Sequence, residues 1–118
     1  MPQVLVIDDE KPILNFLQRF LTRLGYEVKI AHDGKEGIDV FNTDHEIDLV
    51  ITDIRMPRMD GNAVAGYIRN SDRPDMPIIA ISGFADEAES ELFNFLIKKP
   101  FQIQTLADVI KNIRQIRS

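Results

Sequence analysis

Short apolar runs alternate with longer amphipathic stretches along the whole chain. The runs are Val4–Ile7, Val28–Ala31, Leu49–Thr52, Ile78–Ser82 and Phe95–Ile97. Most are rich in Val and Ile and too short for helices, so they predict buried strands. After the first run, Ile13, Phe16, Leu17, Phe20, Leu21 and Leu24 recur at three- and four-residue spacing, the stripe of a helix with one face in a core. Pro12 suits the first turn of that helix and Gly25 its stop. A second helix is predicted over Lys35–Phe41, opened by Asp33-Gly34, and a third over Asn62–Arg69. The last, Ile103–Ile116, places Ile103, Leu106, Ala107, Ile110 and Ile113 on one face.

Five strands alternating with helices predict an α/β fold with a parallel sheet covered on both faces. Right-handed crossovers and five strands favour the flavodoxin-like, doubly wound strand order 2-1-3-4-5. In such sheets ligands bind beyond the carboxyl ends of the strands, where the order reverses. The residues that follow each apolar run therefore carry the functional signal.

Asp8-Asp9-Glu10 follows the first strand and Asp53 the third; the fourth ends in Ser82-Gly83 and the fifth runs into Lys98-Lys99-Pro100. Taken singly, an acid after a strand is usually a turn residue or cap, a serine a cap, and a lysine a surface charge. Their coincidence on four strands of one sheet edge outweighs those readings. Clustered carboxylates raise one another's pKa, and a divalent cation removes the conflict. Oxygen-only ligands favour Mg²⁺ over zinc. A carboxylate beside Mg²⁺ can attack phosphorus to give an acyl phosphate. The transferring phosphoryl group then needs a cation and hydrogen-bond donors, which Lys99 and Ser82 offer, and Gly83 leaves room for a backbone N–H. His32 and His45 lie elsewhere and read as surface residues.

Composition narrows this picture. At 118 residues the chain fits one compact unit, 1–118, and the absence of cysteine removes disulfides, thiolate zinc sites and cysteine nucleophiles. The net charge of −5 argues against a dedicated nucleic-acid binder. No apolar run approaches the length of a membrane span and the start carries no secretory pattern, so a cytoplasmic protein is expected. The charge is uneven. Residues 98–118 carry +4 and the first 97 carry −9. Lys111, Arg114 and Arg117 are read as a solvated basic face.

Val4-Leu5-Val6-Ile7-Asp8-Asp9-Glu10, the block from Asp48 to Gly61, Ile81-Ser82-Gly83 and Lys99-Pro100-Phe101 resemble, in that order, the receiver domain of two-component response regulators. The resemblance runs the length of the chain. It implies that Asp53 is the phospho-acceptor and that Asp9 is a direct Mg²⁺ ligand, with Asp8 acting beside it. It places the backbone carbonyl of Arg55 where a third protein ligand lies. It makes Ser82 the switch hydroxyl and Lys99 its partner, and it implies a cis Lys99-Pro100 peptide. The phosphoryl group would come from the phosphohistidine of a sensor histidine kinase or phosphotransfer protein, or from small donors. Met56–Gly61 is read as scaffold for the Asp53 loop, with Asp60 as an N-cap.

The chain also departs from the family. Seventeen positions separate Ser82 from Lys99, fewer than usual, which predicts a shortened fourth helix near Ala85–Leu92 carrying Asp86, Glu87, Glu89 and Glu91. The position three before the lysine, normally an aromatic, is Leu96, while Phe95 lies one residue earlier. Either the aromatic is absent or the register shifts so that Lys98 is the site lysine; contiguity with Pro100-Phe101 favours Lys99. Val109 and Ile116 widen the apolar stripe of the last helix, which suggests a downstream protein partner or a homodimer contact there. Two other readings compete: a degenerate receiver used only for docking, and a Mg²⁺-dependent aspartyl-phosphate phosphatase. The second fits poorly, because those enzymes use Asp-x-Asp after the first strand and here the acids are adjacent.

Overall fold

The structure, a computed structural model, describes residues 2–117, with side chains described through Ile113. Five parallel strands form the sheet: β1 (Gln3–Ile7), β2 (Glu27–Ala31), β3 (Ile47–Thr52), β4 (Ile78–Ser82) and β5 (Phe95–Lys98). Their order is β2-β1-β3-β4-β5, as the pattern predicts. Four α-helices accompany them: α1 (Lys11–Arg23), α2 (Gly34–Thr43), α3 (Gly61–Arg69) and α4 (Ile103–Arg117). Successive strand residues point to opposite faces, so the runs of the central strands β1, β3 and β4 split between two cores. Leu5, Ile7, Val50, Ile78 and Ala80 join α2 and α3 through Ile38, Phe41, Val64 and Ile68. Val4, Val6, Leu49, Ile51, Ile79 and Ile81 join α1 and α4 through Leu14, Leu17, Leu106 and Ile110. Burial on both faces explains why these runs are apolar throughout rather than alternating.

The helix ends follow the chemistry of their residues. Beyond α1, Gly25 takes φ +94°, its N–H donates to the Thr22 carbonyl at 3.0 Å, and that of Tyr26 donates to Leu21 at 3.1 Å. This is a Schellman stop, which needs the left-handed conformation glycine accepts freely. Asp33 and Asp60 cap α2 and α3, each carboxylate accepting at 2.8 Å from the third backbone N–H onward, at Glu36 and Ala63.

One element is shorter than expected. Instead of a brief fourth α-helix, Ala85–Leu92 holds two 3₁₀ turns, Ala85–Glu87 and Ser90–Leu92. Four acids in this stretch repel at helical spacing, and an eight-residue helix is marginal even without that repulsion. The backbone groups it would pair are taken by Asn62 on α3. Its amide donates to the Glu87 carbonyl at 2.9 Å and accepts from the Glu89 N–H at 2.8 Å. Phe93 still reaches the core.

The last helix spends most of its stripe on the sheet. Leu106, Ile110 and Ile113 are buried, Val109 packs at the core margin, and Ile103 is exposed. The expected contributions of Arg114, Ile116 and Arg117 lie outside the described side chains.

Candidate active site at the carboxyl edge of the sheet

All five strands are parallel, so their carboxyl ends share one edge. Asp8 directly follows β1, Asp53 follows β3, Ser82 closes β4 and Lys99 follows β5. The close approach of β1 and β3 brings the first two acids together, with Asp53 N–H donating to the Ile7 carbonyl at 3.0 Å. Carboxylate oxygens of Asp8, Asp9, Glu10 and Asp53 all lie within 4.8 Å of one another. Asp8 and Asp53 are buried, Asp9 and Glu10 exposed.

Lys99 enters this cluster from the far end of β5. Its Nζ donates to Asp8 Oδ2 and Asp53 Oδ2, each at 3.0 Å, and to Glu10 Oε1 at 3.2 Å. The strand alternation that turns Lys99 inward leaves Lys98 exposed, opposite Ser82 in register with β4. The ammonium that meets the acids is therefore that of Lys99. The Lys99-Pro100 peptide is cis. Burial would lower the pKa of Lys99, but its hydrogen bonds to Asp53 and Asp8 outweigh burial and hold it above its ordinary value. Asp8 moves up to about 6. Burial is the main cause and the Asp53 charge adds to it, against the hydrogen bond from Glu10 N–H and the pull of Lys99.

The second oxygen of Asp53 is held by its own loop, Oδ1 accepting from Ile54 N–H at 2.7 Å. Gly61 keeps that loop tight. A β-carbon there would meet the Asp53 carbonyl oxygen at 2.1 Å, and the Gly61 N–H donates to Ile54 at 2.8 Å. Met56–Gly61 thus serves as the scaffold its composition suggested. Ser82 is fully buried, and its Oγ accepts from Phe84 N–H at 3.0 Å. A β-carbon on Gly83 would meet nothing within 4 Å, so packing does not demand glycine there. Leu96 is exposed, and Phe95 packs half-buried on the α1/α4 side, so no aromatic stands three residues before Lys99. His32 and His45 are exposed, and neither belongs to the carboxylate cluster.

Two participants had no place in the sequence reading. Glu10 was visible in the acidic triplet, but nothing in one dimension shows that it reaches Lys99, 89 residues away. The side chain of Arg55 pairs with Glu87, Nη2 to Oε1 at 2.6 Å, and stacks on Phe84 with its Cζ 3.8 Å from the ring centroid. Arg55, Asp9, Met56, Pro57 and Asp60 line the shallow mouth beside the cluster.

The donor set suits Mg²⁺. It offers only oxygens, several of them carboxylate, packed closely around the Lys99 ammonium. The acid–lysine cluster lies at the carboxyl edge of a flavodoxin-like sheet, where the strand order reverses.

Comparison with known proteins identifies the family. Residues 4–111 match the response regulator receiver domain. The chain belongs to that family. It is 43% identical over 83 residues to the probable transcriptional regulator ycf27 of Cyanidium caldarium, covering 70% of this chain and 32% of that one. It is 33% identical to the response regulator MprA of Mycobacterium avium, covering 88% and 47%. It is 32% identical to the autoinducer 1 sensor kinase/phosphatase LuxN of Vibrio campbellii, covering 94% and 13%. The chain thus spans less than half the length of each of these relatives. Among solved structures, the response regulator TrrA of Thermotoga maritima in complex with Mg²⁺ and BeF matches with TM-score 0.86 and 33% identity, over 95% of this chain and 98% of that one.

Proposed function

We propose that residues 1–118 act as one receiver unit that takes a phosphoryl group on Asp53 and changes its affinity for a protein partner. The observation that carries this reading is the convergence of Asp8, Asp53 and Lys99, from three strands, within hydrogen-bonding distance of one ammonium. Asp8, Asp9, Asp53 and the Arg55 backbone carbonyl would hold Mg²⁺. When bound, the ion neutralises the acids and the developing charge on the phosphoryl oxygens.

The chain's own groups then have distinct tasks. The Asp53 carboxylate attacks phosphorus, the bond from phosphorus to the donor's imidazole nitrogen breaks, and that nitrogen keeps the electron pair. Lys99 follows the charge from the carboxylates to a phosphoryl oxygen. Ser82 Oγ–H donates to another. Hydrolysis by water returns the carboxylate and phosphate, so the chemistry is confined to the domain's own phosphorylation and dephosphorylation. A histidine kinase or phosphotransfer protein is the natural donor; LuxN, a sensor kinase by name, carries a region similar to this chain. The same reading places the domain in the cytoplasm, and among the described residues no helix is long and apolar enough to cross a membrane. A downstream protein, or a second copy, would meet the exposed end of the last helix near Ile103.

Acetyl phosphate with Mg²⁺ is expected to add one phosphoryl group by intact mass, and Asp53→Asn to abolish it. Full labelling of Asp53→Asn would overturn the assignment.

A further inference from the structure

The acids of the cluster sit after two separate strands, and α2 touches both the first strand and the loop that follows the third. Asp8 and Asp9 follow Ile7 at the end of β1, and Gly37 of α2 lies so close to Ile7 that a β-carbon there would strike its side chain. Asp53 and Arg55 begin the loop that leads to Gly61. Earlier in α2, a β-carbon on Gly34 would strike the Met59 carbonyl oxygen of that loop. The base of the loop is closed by Gly61 N–H, which donates to the Ile54 carbonyl at 2.8 Å. Its tip is a γ-turn. Met59 N–H donates to the Pro57 carbonyl at 2.8 Å, and Arg58 between them has φ +70°. That conformation is rare and strained for a residue with a side chain. Arg58 is the one non-glycine residue with positive φ among the described residues. Its side chain has a partner on α2: Nη1 donates to Asp33 Oδ2 at 3.2 Å, while Asp33 Oδ1 caps the helix at Glu36 N–H.

We infer that Asp33 and Arg58 are positioning residues that set which divalent cation the acidic cluster prefers, by pinning the tip of the Asp53 loop to α2 at a fixed distance from Asp8 and Asp9. The inference rests on the Mg²⁺ reading of the site, in which the Arg55 carbonyl of the same loop is a ligand. An exposed ion pair with one contact adds little to overall stability. What this pair holds is a turn that glycine adopts freely and arginine does not. Arginine brings strain to the tip, and its reach to Asp33 supplies an anchor that glycine lacks. Mg²⁺ demands a short, near-octahedral oxygen shell, whereas Ca²⁺ accepts longer and less regular ones. A loop free to shift against β1 therefore penalises Mg²⁺ more than Ca²⁺. Loss of a nearby charge acts alike on two ions of equal charge, so the ratio of the two affinities separates position from electrostatics.

The test uses the full chain and reads Mg²⁺ and Ca²⁺ affinities by calorimetry, with thermal melting alongside. The parent is expected to bind Mg²⁺. Arg58→Gly relieves the turn and Asp33→Asn keeps the helix cap. Each is expected to lower the ratio of Mg²⁺ to Ca²⁺ affinity by about threefold or more. The double variant should fall no further than either alone, since both remove one contact. Arg58→Lys, whose ammonium can make the same single contact, should keep most of the parent ratio. Lys35→Gln removes a positive charge from the exposed surface of α2 and should leave the ratio at the parent value. With Mg²⁺ bound by the parent, unchanged ratios in Arg58→Gly and Asp33→Asn would overturn the pin alone. An equal fall in Lys35→Gln, additive falls in the double variant, or a ratio that falls only together with the melting temperature would do the same. No Mg²⁺ binding by the parent would overturn both the pin and the Mg²⁺ reading.

Discussion

Lys99 shows how much one side chain can carry at this edge. Its ammonium is the cation facing Asp8, Glu10 and Asp53 among the described residues, and Asp8 and Asp53 have little water to screen them. Lys99→Ala leaves a buried like-charge cluster and is expected to cost about 3 kcal/mol in urea unfolding without Mg²⁺. Added Mg²⁺ should return most of that loss. Lys98→Ala, at an exposed position, should fall within about 0.5 kcal/mol of the parent. Asp8 supplies a pH dependence of defined sign. Its folded pKa of about 6 stands above the ordinary 3.8, so the folded state binds the extra proton between those values. Its contribution to stability therefore falls as pH rises through that window. Asp8→Asn should gain on the parent from pH 4 to pH 7 in metal-free unfolding. In the parent, Mg²⁺ affinity should rise steeply as pH passes about 6, measured by fluorescence or calorimetry.

At the scale of elements, the loss of a regular helix between β4 and β5 is offset by side chains from α3. Arg69, in its last turn, donates from Nε to the Leu92 carbonyl at 3.1 Å, from Nη1 to Pro74 and Met76 at 2.7 Å each, and from Nη2 to Asn94 Oδ1 at 3.0 Å. Burial lowers its pKa from the usual arginine range, and the charge of Asp75 opposes this. One guanidinium thus joins α3 to the stretches that precede β4 and β5. Arg69→Ala should cost about 2 kcal/mol in urea unfolding, since it strands two partly buried carbonyls, those of Leu92 and Met76. Arg69→Lys should recover only part of it, because an ammonium cannot reproduce the fork. Strands and helices were legible where a periodic apolar run is long enough to bury a face. Ala85–Leu92 was not, because its conformation is decided by Asn62 and Arg69, which lie more than 20 residues away.

For the whole molecule, the site works against the fold that presents it. Four carboxylates share one corner, and one lysine, Lys99, faces three of them. A cation that binds there stabilises the folded state by mass action. Millimolar Mg²⁺ should raise the melting temperature of the parent, EDTA should reverse it, and Asp53→Asn should show a smaller shift, all readable by calorimetry. An unchanged melting temperature would count against metal binding at this edge.

The amino-acid sequence determined the layers, the strand order and the edge on which chemistry sits. Those follow from local pattern: runs of Val and Ile buried on both faces, caps at Asp33 and Asp60, and polar residues placed directly after strands. It also marked Asp8, Asp9, Asp53, Ser82 and Lys99, because each ends or follows an apolar run. Only the tertiary structure decided which lysine meets the acids, because a one-residue step along a strand reverses the direction of a side chain. It alone brought Glu10 to Lys99 and Arg55 to Glu87 and Phe84, contacts between segments that share no sequence signal. The physical reason is common to these cases. Periodicity reports whether a residue faces the core, whereas charge pairing across strand ends depends on where separate elements finish in space.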